Sequence, residues 1–219
     1  FRTVHMFMSI RSNNELCLEN LPKVAVDELR ATILGMWPYG IDKDEHSGYD
    51  WIVKFRNAPW SAAGDDRITA WNMIVEMFTL FARRGFAFQT SVNTASPPPR
   101  LIFAVNPPDI KSNFVLGYFS QGGHRFTLFN APTQLELALK VTLSSVLPRK
   151  IVPDRVIHER FCVVEVKRRR LFGPPVVRPA VFMMHVLKIM SELGFNLDAA
   201  LPLMASRFFR QRRELLVFK

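Results

Sequence analysis

Two groups of cationic side chains in the C-terminal half of the chain could bind phosphate or carboxylate groups. The first consists of Lys167, Arg168, Arg169 and Arg170, and the second of Arg207, Arg210, Arg212 and Arg213. A guanidinium group presents a planar fork of N–H donors that matches phosphate and carboxylate oxygens. Phe208 and Phe209 lie within the second group, and aromatic rings can stack on exposed nucleic-acid bases. These residue types together predict binding of a polyanion.

The excess positive charge is confined to one half of the chain. Residues 1–113 contain 12 Lys and Arg against 12 Asp and Glu, whereas residues 114–219 contain 17 against 7. The whole formal net charge of +10 therefore belongs to residues 114–219. A charge bias of this kind favours an acidic ligand for that half.

The two halves are related by an internal repeat with a spacing of about 110 residues. Four residues recur at a shift of 110, with Asn20, Pro22, Pro38 and Ile41 returning as Asn130, Pro132, Pro148 and Ile151. Gly85 returns as Gly194 at a shift of 109. Small changes of shift between apolar segments are typical of loop insertions and deletions. The sequence therefore predicts a tandem duplication, with a first repeat over residues 1–113 and a second over residues 114–219.

Each repeat has the pattern of a ββαβαββ unit. Apolar residues three and four positions apart between Lys23 and Trp37 predict an amphipathic helix, and the alternation from Asp50 to Arg56 predicts a strand. The segment 42–48 is polar and is expected to be a linker. Such an order of elements favours an α+β fold in which helices cover one face of each sheet.

The same pattern predicts where the two cationic groups lie. The strand from Cys162 to Lys167 leads through a helix that begins near Pro179 to a strand from Phe195 to Leu201. A right-handed crossover would make these strands parallel, so that both end at the same rim of the sheet. The two cationic groups are then expected to converge there, beside the positive end of the helix dipole.

The first repeat provides an internal comparison. Its corresponding loops, 56–59 and 94–100, are nearly neutral, so the fold itself does not require arginine at these places. This difference favours a local binding role for the second repeat. The alternative is that the arginines form a solvated rim that improves solubility.

The preferred function is a non-enzymatic binding module that contacts a phosphate-rich polymer, namely RNA or another single-stranded nucleic acid, through the basic rim. Neither the aromatic RNP strand motif nor the GxxG loop of known RNA-binding modules is present. The alternative is a protein-interaction scaffold within a larger assembly, whose rim contacts an acidic partner or an anionic membrane surface.

Two broad apolar helices favour the scaffold hypothesis. Their apolar residues exceed what one sheet face usually covers, and six of them are candidates for contacts with a partner or for self-association: Trp71, Met73, Met77, Met183, Leu187 and Met190. Methionine side chains adapt readily to partner surfaces. The alternative is that both helices belong to the core.

The remaining reactive residues do not form a catalytic or metal-binding motif. Asp42, Asp44, Glu45 and His46 lack EF-hand spacing, and Asp65 and Asp66 are explained by helix capping. The two cysteines, Cys17 and Cys162, have no CxxC spacing. We therefore expect no catalytic residues, no metal and no cofactor.

The chain also lacks the features of a membrane or secreted protein. No apolar run reaches the roughly 20 residues that a membrane span needs, and no signal-peptide pattern opens the sequence. An intracellular location, in the cytoplasm or nucleus, is the expectation. The first residue, Phe1, favours a fragment of a longer protein.

Overall fold

A computed structural model describes residues 4–93, 98–153, 160–168, 175–203 and 213–219. These residues divide into two compact units, with the boundary between Phe114 and Val115. At the C-terminal end, the described residues from Leu201 to Arg213 group with the first unit, and Glu214–Lys219 group with the second.

The first unit contains a six-stranded antiparallel sheet with the strand order β3-β4-β2-β1-β6-β5. Two helices, α1 (Lys23–Ile33) and α2 (Gly64–Arg83), accompany it. The strands are β1 (His5–Arg11), β2 (Glu15–Glu19), β3 (Ile41–Ser47), β4 (Asp50–Phe55), β5 (Phe86–Val92) and β6 (Arg100–Val105).

The second sheet has five strands in the order β10-β11-β7-β8-β9. Its helices are α3 (Thr133–Val146) and α4 (Pro179–Glu192). The strands are β7 (Val115–Ser120), β8 (Arg125–Phe129), β9 (Phe161–Glu165), β10 (Leu197–Leu203) and β11 (Arg213–Phe218). Strands β7, β8 and β9 are joined by regular antiparallel pairing, for example Thr127 with both Tyr118 and Val163.

The two sheets have the same topology once β3 is set aside. Strands β1, β2, β4, β5 and β6 correspond in order to β7, β8, β9, β10 and β11. The backbone repeats as well, because Asn20 and Asn130 both have positive φ, at 63° and 57°. Gly85 and Gly194, which end matching helices, have φ of 78° and 89°. The α+β fold and the duplication predicted from the sequence are confirmed.

Matching helices begin in the same way. Pro22 and Pro132 have nearly identical extended backbone angles and precede α1 and α3 directly. The first helical hydrogen bonds recur at the shift of 110, with Val26 N–H donating to Pro22 C=O and Glu136 N–H to Pro132 C=O, each at 3.1 Å. Proline suits this position because its fixed φ matches the extended backbone that leads into the first turn.

Each unit has its own apolar core between helices and sheet. In the first, the rings of Phe78 and Phe81 on α2 lie 5.5 and 5.1 Å from that of Phe103 on β6. In the second, one cluster joins strand residues such as Phe126 and Leu128 to residues from both helices, including Leu135, Leu139, Leu143, Phe182, Val186 and Met190. In the part of the chain that the structure describes, no helix combines the length and hydropathy that a membrane span requires.

Two local predictions differ from the structure. Residues 41–47 form the edge strand β3, paired with β4, whereas a linker was predicted for segment 42–48. Most of the β3 side chains are exposed, so the apolar alternation that marks a strand is absent from the sequence. Asp65 and Asp66 lie in the first turn of α2, and the N-cap residue is Ala63.

Candidate anion-binding site

The end of β9 brings three segments of the second unit together through backbone hydrogen bonds. Lys167 N–H donates to Lys150 C=O at 2.7 Å, and Val176 N–H donates to Lys167 C=O at 3.0 Å. Arg168 forms an isolated antiparallel bridge with Pro175. The positions of Lys150, Lys167 and Arg168 are therefore fixed by the backbone and do not depend on side-chain contacts.

The turn between β7 and β8 connects this region to the start of α4. Arg168 Nη2 donates to Gln121 Oε1 at 3.0 Å. In the same turn, Gly123 packs so closely against α4 that an added Cβ would lie 3.1 Å from Pro179 Cβ and 3.2 Å from Met183 Sδ. The side chain of Arg168 and the first turn of α4 thus contact the same four-residue turn.

The first turn of α4 is free of negative charge. Arg178 is the N-cap residue, it makes no side-chain capping hydrogen bond, and the turn contains no acidic residue. A helix N-terminus carries a partial positive charge from its unpaired N–H groups. Arg178 therefore adds a full positive charge to an end of the helix that already favours an anion.

Five cations make up what we call the basic patch: Arg149, Lys150, Lys167, Arg168 and Arg178. Four of them are exposed and Lys167 is half-buried. Among the described residues, no carboxylate oxygen lies within 4.0 Å of any of the five. The nearby acid Glu165 is already 4.0 Å from Arg125. The patch therefore offers uncompensated charge and free hydrogen-bond donors to a ligand.

The first unit repeats the backbone of this site without its charge. Arg56 N–H donates to Gly40 C=O at 3.0 Å, which matches the bond between Lys167 and Lys150. The Arg56 side chain is paired with Asp42 at 3.2 Å. Tyr39, which corresponds to Arg149, donates its hydroxyl hydrogen to Asp66. The equivalent site in the first unit is thus neutralised by its own carboxylates.

Strand β3 supplies Asp42 and also Asp44, which pairs with a second arginine of the first unit. Asp44 accepts hydrogen bonds from Arg30 at 2.7 Å and from the Trp51 indole at 2.7 Å. Partial burial opposes ionisation of Asp44, but the bonds from Arg30 and Trp51 outweigh it and hold the pKa of this carboxyl below its usual value. In the second unit, residues 154–159 follow the position where β3 would begin and lie outside the described residues.

The convergence of the two cationic groups stays a prediction, since most of their residues lie outside the described part of the chain. β9 and β10 occupy opposite edges of the sheet, separated by β8, β7 and β11. Four spacings of about 4.8 Å place their ends about 19 Å apart. Since neighbouring strands alternate in direction, β9 and β10 run the same way and end at the same rim, but the connection through α4 crosses the whole sheet.

Most of the remaining predicted site residues lie outside the described residues. These are Arg169, Arg170, Arg207, Phe208, Phe209, Arg210 and Arg212. Arg213 is the first residue of β11. Their assignment to a polyanion site stays a prediction, and among the described residues the candidate site consists of the basic patch.

Three members of the basic patch were missed in the sequence. Arg149 and Lys150 lie between Pro148 and Ile151, two residues that define the repeat, at positions where the first repeat has Tyr39 and Gly40. Comparing the two repeats position by position would have found both. Arg178 had a different signal, since it directly precedes the proline that opens α4.

The broad apolar faces of α2 and α4 are largely buried. Trp71 is 7% exposed, and Met73, Met77 and Met190 are 0% exposed. Met183 and Leu187 are half-buried. The first four side chains are therefore unavailable to a partner in this conformation, because the core already surrounds them. A partner-binding role for Met183 and Leu187 stays a prediction.

The other reactive residues remain separate. Within the residues that the structure describes, no three His, Cys, Asp or Glu side chains are placed to hold a metal ion. Cys17 and Cys162 are both buried, and burial raises the pKa of the Cys17 thiol. His124 Nδ1 lies 2.9 Å from Gln121 C=O, within the turn that contacts Arg168.

One protein-family model, described only as a domain, matches residues 4–100 of the chain. The matched range covers β1 to β5 with α1 and α2, and ends on the first residue of β6. No curated protein and no solved structure matches the chain.

Proposed function

We propose that this chain is a non-enzymatic binding module that contacts single-stranded nucleic acid, with RNA as the first candidate, through the basic patch of its second unit. The observation that supports this most is the comparison of equivalent sites. One backbone framework carries five cations in the second unit that no carboxylate of the described residues pairs with, and a cation paired with Asp42 in the first. The two units share this backbone framework, but in the part of the chain that the structure describes its cations are paired with carboxylates only in the first. This difference favours a negatively charged ligand for the site in the second unit.

The chemistry of the patch suits phosphate groups. Three of its members are arginines, whose guanidinium forks can hold two oxygens of one phosphate. The N-terminus of α4 adds N–H groups that favour the same ligand. By sequence, Phe208 and Phe209 would provide aromatic faces for unstacked bases, which favours a single strand over a duplex.

Titration of a fluorescently labelled, unstructured 20-nucleotide RNA over a series of salt concentrations tests this proposal. If the five cations contact phosphates, the logarithm of the binding constant is expected to fall against the logarithm of salt with a slope of about −3.5, since each phosphate contact on a single strand contributes about −0.7. Absence of binding at low salt, or binding that does not depend on salt, would contradict it.

An acidic extended peptide is the second candidate ligand, because the first unit binds one within its own fold. Strand β3 places Asp42 on Arg56 and Asp44 on Arg30. The basic patch lies beside the edge strand that corresponds to β4, so an acidic segment from a partner protein would meet similar groups. Competition by poly-glutamate distinguishes the two ligands: displacement of RNA only by nucleic acid favours the first proposal, and equal displacement by the peptide favours the second.

A further inference from the structure

The four edge strands of the two sheets differ in how they are protected from pairing with another chain. An edge strand exposes a row of backbone N–H and C=O groups, and proteins usually block such edges with charges, proline or a covering segment. The edges here are β3 and β5 in the first sheet, and β9 and β10 in the second. Each can be compared by its sequence and its contacts.

Three of the edges carry such protection. Strand β3 contains four consecutive charged residues from Asp42 to Glu45. Strand β10 contains Asp198 and Pro202, and proline cannot donate to a neighbouring strand. The end of β9 is partly covered, because Val152 N–H donates to Glu165 C=O at 2.8 Å and Ile151 bridges to Val166.

Strand β5 has none of these features. Its seven residues, Phe86–Val92, contain no charged residue and no proline. Its last four residues are exposed, and its one strand neighbour in the described part of the chain is β6. The pairing of β5 with β6 is regular except for a register shift between Phe88 and Thr90.

Hydrogen bonds in the neighbouring strand show which backbone groups of β5 face outward. Val105 N–H donates to Val4 C=O, on the side of β6 that faces β1. Backbone groups alternate in direction along a strand, so the N–H and C=O of Ile102, three residues earlier, point towards β5. The residue of β5 that pairs with Ile102 is Thr90. The next residue, Ser91, must direct its N–H and C=O away from β6. A new strand would bond to these groups.

We propose that β5 pairs with β5 of a second copy of this chain, antiparallel and about a two-fold axis, so that two six-stranded sheets form one continuous sheet. The charge distribution favours a second copy of the chain as the partner of β5. The first repeat has 12 cations and 12 anions, so two copies can approach through it without the repulsion that the cationic second repeat would cause. In a two-fold interface the same surface of both copies is in contact, so β5 must be able to pair with itself. A strand without charged residues can do so without like charges facing each other.

Light scattering coupled to size-exclusion chromatography tests the pairing on the complete chain. At high concentration the mass is expected to be twice the 25.2 kDa of one chain, and it should fall towards 25.2 kDa on dilution. Ser91→Pro removes an outward N–H, and Ser91→Lys places like charges at the joint, so both variants should remain monomeric at the concentration where the unaltered chain is dimeric.

Ser144→Lys is the matched control, since it adds the same charge at an exposed position of α3 and should leave the dimer intact. A monomeric unaltered chain at its highest soluble concentration would overturn the proposal. A dimer that survives both Ser91 variants would do the same.

Hydrogen exchange on the unaltered chain gives a second measurement that requires no variant to fold. The outward-facing amides within residues 86–92, such as that of Ser91, should exchange at least about tenfold more slowly at the dimeric than at the monomeric concentration, because pairing protects them. Amides of β10 should not change. Concentration-dependent protection that is absent from 86–92, or that appears on β10 instead, would overturn the proposal.

Discussion

Reversing four charges of the basic patch is expected to abolish measurable binding of single-stranded RNA at physiological salt. The variant combines Lys150→Glu, Lys167→Glu, Arg168→Glu and Arg178→Glu, and leaves Arg149 in place. Loss of four phosphate contacts should reduce the salt slope by about 3, and the new carboxylates should lower affinity by about 100-fold or more. Anisotropy titration measures both effects, and circular dichroism should show an unchanged fold because these side chains do not lie in the core.

A variant with the same change in net charge provides the control. It replaces four cations of the first unit by Glu: Lys23, Lys54, Arg83 and Lys111. All four are exposed and make no ion pair with a carboxylate of the described residues. This control should lose less than about tenfold in affinity, because long-range attraction is screened over about 8 Å at physiological ionic strength. An equal loss in both variants would show that net charge, and not the patch, determines binding.

Shortening the buried methionines of α2 and α4 is expected to destabilise the chain strongly. Met77 and Met190 are both 0% exposed. Met77→Ala and Met190→Ala should each lower the free energy of unfolding by about 2–5 kcal/mol, the usual cost of truncating a buried side chain and leaving a cavity. Urea denaturation followed by circular dichroism measures this loss.

Met184→Ala is the matched control on α4, since Met184 is 55% exposed and its truncation should cost less than about 1 kcal/mol. The experiment also separates the core from a partner surface. If Met77→Ala and Met190→Ala leave stability unchanged but remove a bound protein, these helices bind a partner, and their assignment to the core is contradicted.

The features of the fold that were predictable from the sequence are those determined by local backbone chemistry. Pro22 and Pro132 mark helix starts because the fixed φ of proline matches the extended backbone directly before each helix, and Asn20 and Asn130 occupy the left-handed region that asparagine tolerates. Such residues recur at fixed spacing because the backbone needs them at the same places in each copy. The repeat was therefore visible even though few core residues are identical.

The features that the sequence concealed depend on pairing between distant segments. β3 is held by β4 and by the ion pairs of Asp42 and Asp44, none of which leaves an apolar pattern in residues 41–47. The distance between β9 and β10 depends on how many strands lie between them in the sheet. The right-handed crossover rule determines the handedness of the connection but not the number of strands that it passes.

The candidate site was only partly predictable for the same physical reason, since it also depends on pairing between distant segments. The run of cations at residues 167–170 is visible in the sequence. The contact of Lys150 with Lys167 is not, because it is a backbone hydrogen bond, which the first repeat also makes, between Arg56 and Gly40. The two repeats share that bond, but Asp42 pairs with Arg56 in the first, whereas no carboxylate of the described residues pairs with Lys167 in the second. The proposed difference in function between the two units therefore rests on different charge pairing on a common backbone framework.

Photochemical cross-linking of RNA to the unaltered chain, with mass spectrometry of the modified peptides, tests the central claim most directly. We expect adducts on peptides of the second unit that carry Arg149, Lys150, Lys167, Arg168 and Arg178, and we expect these adducts to be lost in high salt. Adducts concentrated in residues 4–100, or an even distribution over both units, would contradict it.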